Sequence, residues 1–140
     1  MFTFRFHYAT QQEYGPLGDS VQVVSFVLPA FNEAAGIAHF HHTLVEATQP
    51  ESEYEFEFVY IDDGSTDGTN AALATLRNSD DRVRVIEFSR NFGHQVAITA
   101  GLDHARGDAV IIMDTDMQDP PYVAIEMIRR WEEGNQQVYA

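Results

Sequence analysis

The chain contains no cysteine and no lysine. Without cysteine it has no disulfide, no thiolate nucleophile and no cysteine-bound zinc. Without lysine it is neither a P-loop nucleotidase, which needs a lysine on the phosphates, nor a Schiff-base enzyme. It also has no run of about 18 apolar residues, so the sequence predicts no membrane span. The first residues lack the pattern of a secretory signal, and a cytoplasmic location is the default expectation.

Basic residues are scarce, because 22 acidic side chains face only eight arginines and give a formal charge of −14. A surface of this sign repels nucleic acid and anionic lipid headgroups, so we expect no nucleic-acid partner. The 140 residues suit one domain, and 44% of them are hydrophobic. That share is typical of a soluble protein with a packed core.

Strand and helix patterns alternate from residue 21 onward. Apolar, β-branched runs predict strands at Val21–Leu28, Tyr54–Ile61, Val83–Phe88 and Ala109–Met113, and Val138-Tyr139 predicts the opening of a fifth. Helices are predicted from Asn32 or Glu33 to Thr48, over Gly68–Arg77 and His94–Ala105, and from Pro120-Pro121 to Trp131. This order predicts an α/β fold with a mainly parallel sheet and helices on both faces.

The lead segment, residues 1–20, precedes this alternation as an N-terminal extension. Its aromatic residues occur at every second position, which is strand periodicity: Phe2, Phe4, Phe6 and Tyr8. One interpretation is a loosely packed arm or an added edge strand. The other is an arm that contacts a membrane or a partner.

In a parallel sheet, ligands bind outside the carboxyl ends of the strands. The polar clusters of this sequence follow the strands, in residues 29–33, 62–67, 89–95 and 114–119. In the last of these clusters, Asp114 and Asp116 are two residues apart at a strand end. Carboxylates so placed repel each other unless a cation lies between them, and hard oxygen ligands favour Mg²⁺ or Mn²⁺. The sequence therefore predicts a divalent metal site here.

The clusters after the first two strands are candidates for base recognition. Asp62-Asp63 exceeds what a turn requires, and a carboxylate at a strand end is suited to accept a ring N–H of uracil or guanine. Phe31 is suited to stacking on a base. Glu33 is suited either to capping the first helix or to contacting the ligand. We expect Ser65 and Asp67 to act as turn or cap residues.

The third cluster leaves two alternatives open for each of its main residues. Arg90 is either a diphosphate contact or a member of a surface ion pair. His94 is either a ligand contact or simply the first residue of a helix. Three further histidines, at positions 39, 41 and 42, are expected on a solvated helix face away from the strand ends.

Four segments together resemble family-2 glycosyltransferases of the GT-A fold, most closely the bacterial polyprenyl-phosphate glycosyltransferases related to dolichol-phosphate mannose synthase. The segments are VLPAFNEAAGI, VYIDDGSTDGT, FSRNFGHQVAITAGLDHARGDAVIIMDTDMQDPP and the final VYA. The resemblance covers nearly all of residues 21–140. It implies a GT-A-like sheet of which this chain holds the nucleotide-sugar-binding part, up to and including the metal motif.

The resemblance also implies roles by position. The nucleoside pocket is implied for Pro29, Phe31 and Glu33, base recognition for Asp62 and Asp63, and nucleotide-sugar contact for Thr115, which stands where alanine is common. Asp114 is implied near the ribose and the metal. Asp116 is implied as the direct metal ligand and catalytic residue, with Gln118 as a further metal ligand. Phe31 stands where a tyrosine is more usual, so stacking is kept and a hydroxyl contact is lost.

The implied reaction is inverting transfer of a sugar from a UDP- or GDP-sugar to a polyprenyl phosphate, with Mg²⁺ or Mn²⁺, at the cytoplasmic face of the membrane. Family members continue with an acceptor-binding half, and members of this branch with C-terminal membrane helices. The chain is therefore expected to be a fragment or a natural truncation, which does not turn over alone.

Three rival functions stay open at this stage. The first is a non-catalytic nucleotide-sugar-binding or assembly module. The second is an aspartate-based phosphotransfer domain, which needs an aspartate where this chain has Pro29-Ala30. The third is a nucleotidyltransferase, which usually carries a glycine- and lysine-rich loop after the first strand.

Overall fold

Strands and helices alternate in the computed structural model, which describes residues 21–135 and Val138. The strands are β1 (Gln22–Ala30), β2 (Tyr54–Asp62), β3 (Val83–Glu87) and β4 (Ala109–Ile112). The helices are α1 (Ile37–Thr48), α2 (Thr69–Ser79), α3 (His94–His104) and α4 (Pro121–Glu132). The order predicted from the sequence is confirmed.

The sheet has the strand order β3-β2-β1-β4, and every pair in it is parallel. Residues 24–30 of β1 are all buried. Consecutive apolar residues face opposite sides of a strand, so such a run requires cover on both faces of the sheet. The predicted α/β class with a parallel sheet is therefore confirmed.

Two hydrophobic cores lie on the two faces of the sheet. On one face, α1, α2 and α4 pack through Phe40, Leu73 and Ile128 against Phe26 and other strand residues. On the other face, α3 packs through Ala97 and Ile98 against a smaller cluster. This arrangement leaves the loops at the C-terminal ends of the strands on one edge, which we call the rim.

Helix α1 begins at Ile37, several residues later than the predicted start at Asn32 or Glu33. Asn32 has a φ of +55°, which a helix does not allow. The Glu33 carbonyl accepts hydrogen bonds from the N–H groups of Gly36 and Ile37. Residues 32–36 therefore form a turn that carries Glu33 on the rim.

His41 corrects the expectation that the α1 histidines lie on a solvated face. Its side chain is buried, with 6% relative exposure, while His39 and His42 are exposed as predicted. Nδ1 lies 3.0 Å from the Tyr60 hydroxyl, and Nε2 lies 3.4 Å from a carboxylate oxygen of Asp80. The spacing of the three histidines did not predict this burial, because the partners of His41 lie elsewhere in the chain, on β2 and directly after α2.

A buried carboxylate fastens the sheet at the edge opposite the rim. Glu57 accepts hydrogen bonds from the Ser25 hydroxyl and an Arg84 guanidinium N–H, both at 2.7 Å, and from the backbone N–H of Arg106 at 3.0 Å. Burial raises the pKa of Glu57, but these donors outweigh it and lower the pKa overall. The α3–β4 connection is thereby tied to β1, β2 and β3.

The predicted N-terminal extension, residues 1–20, lies outside the described residues, as does Tyr139 of the predicted fifth strand. Val138 packs against the larger core. Within residues 21–135, no helix is long and apolar enough to cross a lipid bilayer.

Candidate functional site

The strand order creates a crevice between the ends of β1 and β4. The chain moves outward from β1 through β2 to β3 and then returns to β4 on the other side, and ligands of open α/β sheets bind at such a reversal. A cleft of about 380 Å³ opens there. All four rim loops contribute to its lining: Pro29, Ala30, Phe31, Glu33, Asp63, Asn91, Gly93, His94, Ala97, Asp114, Thr115 and Asp116.

Thr115 fixes the loop that follows β4. Its side chain is buried, and its hydroxyl donates a hydrogen bond to the Pro29 carbonyl at 3.2 Å. The residues on either side, Asp114 and Asp116, are exposed and line the cleft. Because the middle residue is anchored on β1, the two carboxylates are presented at the mouth of the crevice.

Asp116 also shapes its own loop. Its Oδ1 accepts a hydrogen bond from the Gln118 backbone N–H at 3.0 Å, and Met117 between them has a φ of +64°. The Gln118 side chain is exposed and is not part of the cleft lining. The structure therefore brings Asp114 and Asp116 together and leaves Gln118 beside them on the same loop.

The donor set around Asp114 and Asp116 fits a divalent cation that is shared with a substrate. Among the described residues, no group of three or more histidine or acidic side chains is arranged to hold a metal ion alone. Mg²⁺ typically uses one or two carboxylates and takes its remaining oxygens from waters and substrate phosphates. Two exposed carboxylates at an open cleft satisfy that requirement.

Glu33 adds a further carboxylate to the cleft, near Asp116. Burial raises its pKa, and repulsion by the carboxylates of Asp116 and Asp67 raises it further. Like charges gathered in this way favour a bound cation, which would remove the repulsion. Of the two roles left open for Glu33, helix capping is not observed, because the residue before α1 is Gly36 and makes no side-chain cap.

The β1–α1 loop owes its shape to side chains of the β2–α2 loop and of Thr69, the first residue of α2. Three consecutive backbone N–H groups donate to those side chains: Asn32 to Ser65 at 2.9 Å, Glu33 to Thr69 at 2.9 Å and Ala34 to Asp67 at 3.0 Å. In return the Asn32 side chain accepts the Thr66 N–H. Asp67 also accepts the backbone N–H of Thr69 at 3.0 Å, so it stabilises the start of α2 as well as the neighbouring loop, while the Ser65 hydroxyl accepts from the neighbouring loop.

Asp62 and Asp63 are both buried and both hold rim loops. The carboxylate of Asp63 accepts the backbone N–H groups of Phe92 at 2.7 Å and Gly93 at 3.0 Å, while Asp62 accepts the N–H of Ser65. Only Asp63 lines the main cleft. A carboxylate has about four acceptor positions, so Asp63 retains capacity for further donors.

Arg90 lies over the ring of Phe92, with its guanidinium carbon 4.5 Å from the ring centroid. No carboxylate of the described residues lies within ion-pair distance of it, so the surface ion pair is not observed. Arg90 lines a second cleft of about 500 Å³, shared with Asp62 and Phe31, rather than the cleft of the two exposed aspartates. The structure thus separates Arg90 and Asp62 from the predicted metal ligands.

His94 stands at the main cleft as the first residue of α3. Its Nε2 lies 3.5 Å from Oδ1 of Asp114, and both side chains are 53% exposed. Asn91 and Gly93, from the same loop, also line the cleft and were not singled out from the sequence. Both residues lie between the end of β3 and the start of α3, where ligand-binding residues are expected. Sequence spacing alone does not show which residues of such a loop face the cleft.

A comparison with known families decides which class of protein carries this cleft. The sequence profile described as glycosyl transferase family 2 matches residues 25–140. The chain belongs to glycosyl transferase family 2. The predicted family is thereby confirmed, and the phosphotransfer and nucleotidyltransferase alternatives are set aside.

Two curated relatives of this family-2 chain, one from a bacterium and one from a phage, illustrate the similarity. It is 44% identical over 116 residues to an uncharacterized glycosyltransferase, YkcC, of Bacillus subtilis, covering 83% of this chain and 36% of the relative. It is 45% identical over 117 residues to the bactoprenol glucosyl transferase of Shigella phage SfV, covering 84% and 38%. The chain thus spans little more than a third of these relatives.

Solved structures agree with the family assignment. The mannosyltransferase PcManGT of Pyrobaculum calidifontis, in complex with GDP-Man and Mn²⁺, matches 68% of this chain and 27% of its own, with 29% identity and a TM-score of 0.59. TarS 1-349 of S. aureus, in complex with UDP, matches 79% of this chain and 32% of its own, with 25% identity and a TM-score of 0.65. The predicted GT-A-like fold is confirmed, and the chain covers part of it.

Proposed function

We propose that this family-2 chain forms the nucleotide-sugar-binding part of a metal-dependent, inverting glycosyltransferase whose acceptor is a polyprenyl phosphate. The observation that carries the proposal is the pair of exposed carboxylates, Asp114 and Asp116, at the reversal point of the sheet. Relatives named bactoprenol glucosyl transferase support the acceptor class. Neighbours bound to GDP-Man with Mn²⁺ and to UDP support the donor class.

In this proposal Asp114 and Asp116 hold Mg²⁺ or Mn²⁺, with Gln118 as a further oxygen ligand from the same loop. The cation supplies Lewis-acid stabilisation of the departing nucleoside diphosphate. The chain has no lysine for that task, and the carboxylates of Asp114, Asp116 and Glu33 at the cleft favour a positive partner. Asp116 is the residue that we assign to catalysis.

The nucleoside lies, in this proposal, against the ends of β1 and β2. Pro29 and Phe31 form an apolar wall, and the exposed ring of Phe31 is suited to stacking on a base. Asp63 uses a free acceptor position for a ring N–H. Asp62 holds the turn at Ser65 and, like Arg90, reaches the ligand from the second cleft.

A polyprenyl phosphate acceptor agrees with the chemistry of the cleft. A phosphate monoester has a second pKa near ~6, so its oxygen is already anionic at neutral pH and needs no general base. The described part of the cleft is rich in fixed carboxylates, and no residue there is required to take a proton. We place the reaction at the cytoplasmic face of the membrane, where such an acceptor is anchored.

Calorimetric titration with UDP-glucose, UDP-N-acetylglucosamine and GDP-mannose, each with and without Mn²⁺, tests the donor part of this proposal. We expect one donor to bind only with Mn²⁺, and Asp116→Ala to weaken that binding at least about ten-fold, the lower range for lost metal contacts. Asp119→Ala is the matched control, because Asp119 is an exposed carboxylate of the same loop outside the cleft lining.

Equal donor affinity with Mn²⁺ and with excess chelator would contradict the metal-dependent proposal. A transfer assay with a polyprenyl phosphate then separates catalysis from the alternative of a binding module. Donor binding without any transfer by the complete protein would favour the module.

A further inference from the structure

Among the described residues, no hydrogen bond from the loop after β4 holds the Asp114 carboxylate. Thr115 is anchored on Pro29, and Asp116 is tied into the turn at Gln118. In the part of the chain that the structure describes, the side chain found in polar contact with the Asp114 carboxylate is His94, at 3.5 Å. The orientation of the Asp114 carboxylate therefore depends on His94 more than on its own loop.

His94, in contrast, stands on a backbone that is fixed on two sides. Gly93, directly before it, donates its N–H to Asp63 at 3.0 Å, and Phe92 donates to the other oxygen of the same carboxylate. Further along α3, an added Cβ at Gly101 would meet the Ile61 side chain at 2.7 Å, so the helix lies directly on the sheet. The imidazole thus projects from a fixed backbone toward the exposed carboxylate of Asp114.

We propose that His94 is a positioning residue for Asp114, and this inference rests on the proposed function. The Nε2–H of the imidazole orients the Asp114 carboxylate so that one oxygen faces the cation and the other remains on the histidine. Metal-bound carboxylates are commonly oriented in this way by a second hydrogen-bonding group. The contact is longer than an ideal hydrogen bond, and such contacts tighten when ligand enters the site.

The arrangement also links two loops that the sequence presents separately. The β3–α3 loop, residues 88–93, is held by Asp63 through Phe92 and Gly93. His94, which follows this loop as the first residue of α3, contacts Asp114 in the loop after β4. A nucleotide that contacts Asp63 is thereby connected to the carboxylate that holds the cation. Base binding and metal binding are expected to support each other through His94.

The test measures Mn²⁺ affinity in the whole protein by electron paramagnetic resonance. The donor is present at saturation and is whichever of UDP-glucose, UDP-N-acetylglucosamine and GDP-mannose the wild type binds. We expect His94→Ala to weaken Mn²⁺ binding about ten-fold, the lower range for loss of an orienting partner. His94→Gln, which keeps a side-chain N–H donor, should recover part of that loss. His104→Ala is the matched control, because this exposed histidine lies at the other end of the same helix.

A second pair of measurements distinguishes positioning from a direct or merely structural role. Nucleotide-sugar affinity in excess chelator should be the same for His94→Ala and the wild type, and thermal unfolding should be unchanged because His94 is exposed. In an Asp114→Asn background, His94→Ala should cause no further loss of Mn²⁺ affinity, since the oriented carboxylate is absent.

Unchanged Mn²⁺ affinity in His94→Ala would overturn the inference. So would an equal loss in chelator, which would assign His94 to direct contact with the nucleotide. If the wild type binds no donor in a metal-dependent way, the proposed function fails and the inference fails with it. If metal-dependent binding exists and His94→Ala leaves it intact, only the inference fails.

Discussion

At the scale of single residues, Gly64 allows two rim loops to touch. It has a φ of +70°, and an added Cβ there would lie 2.6 Å from the backbone nitrogen of Asn91. Backbone atoms cannot swing aside as the end of a flexible side chain does. Any other residue at this position would separate the loop that carries Asp63 from the loop that carries His94.

His41 makes the stability of the fold depend on pH. Burial lowers the pKa of His41 below its ordinary value of 6.5, and the nearby Asp80 carboxylate only partly offsets this. The unfolded chain therefore binds the proton more readily than the folded chain does. It follows that stability is lost as the pH falls from above 6.5 toward the lower folded-state pKa, and that the loss levels off below it.

We predict that His41→Gln flattens this pH dependence. The wild-type free energy of unfolding should fall between pH 7.5 and 5.5, with a slope of at most about 1.4 kcal/mol per pH unit for a single proton. Urea unfolding at several pH values measures the slope. His42→Gln, at an exposed position of the same helix, should retain the wild-type slope. If His41→Gln also retains the wild-type slope, His41 is not the source of the pH dependence.

At the scale of elements, the β2–α2 loop braces its two neighbours. Its side chains accept the N–H groups of the β1–α1 loop, and Asp63 accepts those of the β3–α3 loop. Without these side chains, the backbone N–H groups of the two neighbouring loops would have to donate to water. The cleft is consequently shaped by side chains that the ligand need not touch.

We predict that Asp63→Ala releases the β3–α3 loop. Two backbone N–H groups lose a charged acceptor, and we expect a loss of about 1–3 kcal/mol in stability. Hydrogen exchange should accelerate at Phe92 and Gly93 and remain unchanged in β1. Glu87→Ala, which removes an exposed carboxylate at the end of β3, should leave both measurements as in the wild type. If Glu87→Ala also accelerates exchange at Phe92 and Gly93, the effect comes from the lost charge in general and not from the Asp63 hydrogen bonds.

The elements could be predicted from the sequence because long apolar runs and prolines mark their ends, as at Val24–Ala30 and Pro121. The position of the site followed from the rule for strand ends. The bonds across the rim did not follow, because they depend on the strand order β3-β2-β1-β4 rather than on spacing along the chain. For the same reason the sequence placed His41 in solvent, although its partners lie on β2 and just after α2.

At the scale of the whole molecule, the chain carries a net charge of −14, because 22 acidic residues are balanced by only eight arginines. Repulsion among fixed negative charges destabilises a compact state, and salt screens it over about 8 Å at physiological ionic strength. Repulsion between carboxylates therefore lowers the stability of the folded state where these groups lie close together, as they do at the cleft.

We predict that monovalent salt stabilises the protein. The thermal midpoint should rise as NaCl increases from about 10 mM to about 0.5 M, a range over which the screening length shortens from ~30 Å to a few Å. Scanning calorimetry with a chelator present separates this general effect from divalent binding. A midpoint that falls with added NaCl would show that attractive ion pairs, such as Arg82 with Asp80, outweigh the repulsion.

The β2–α2 loop has a consequence for how this protein tolerates sequence change. An exchange at Ser65, Asp67 or Thr69 alters the loop next to it as well as its own, so it disturbs two walls of the cleft together. Gln118 and Asp119 lie in a turn closed by Asp116 within the same loop. Laboratory evolution toward a different sugar donor should therefore find its viable substitutions in the loop after β4, at positions other than the proposed metal ligands Asp114, Asp116 and Gln118, and leave the β2–α2 loop unaltered.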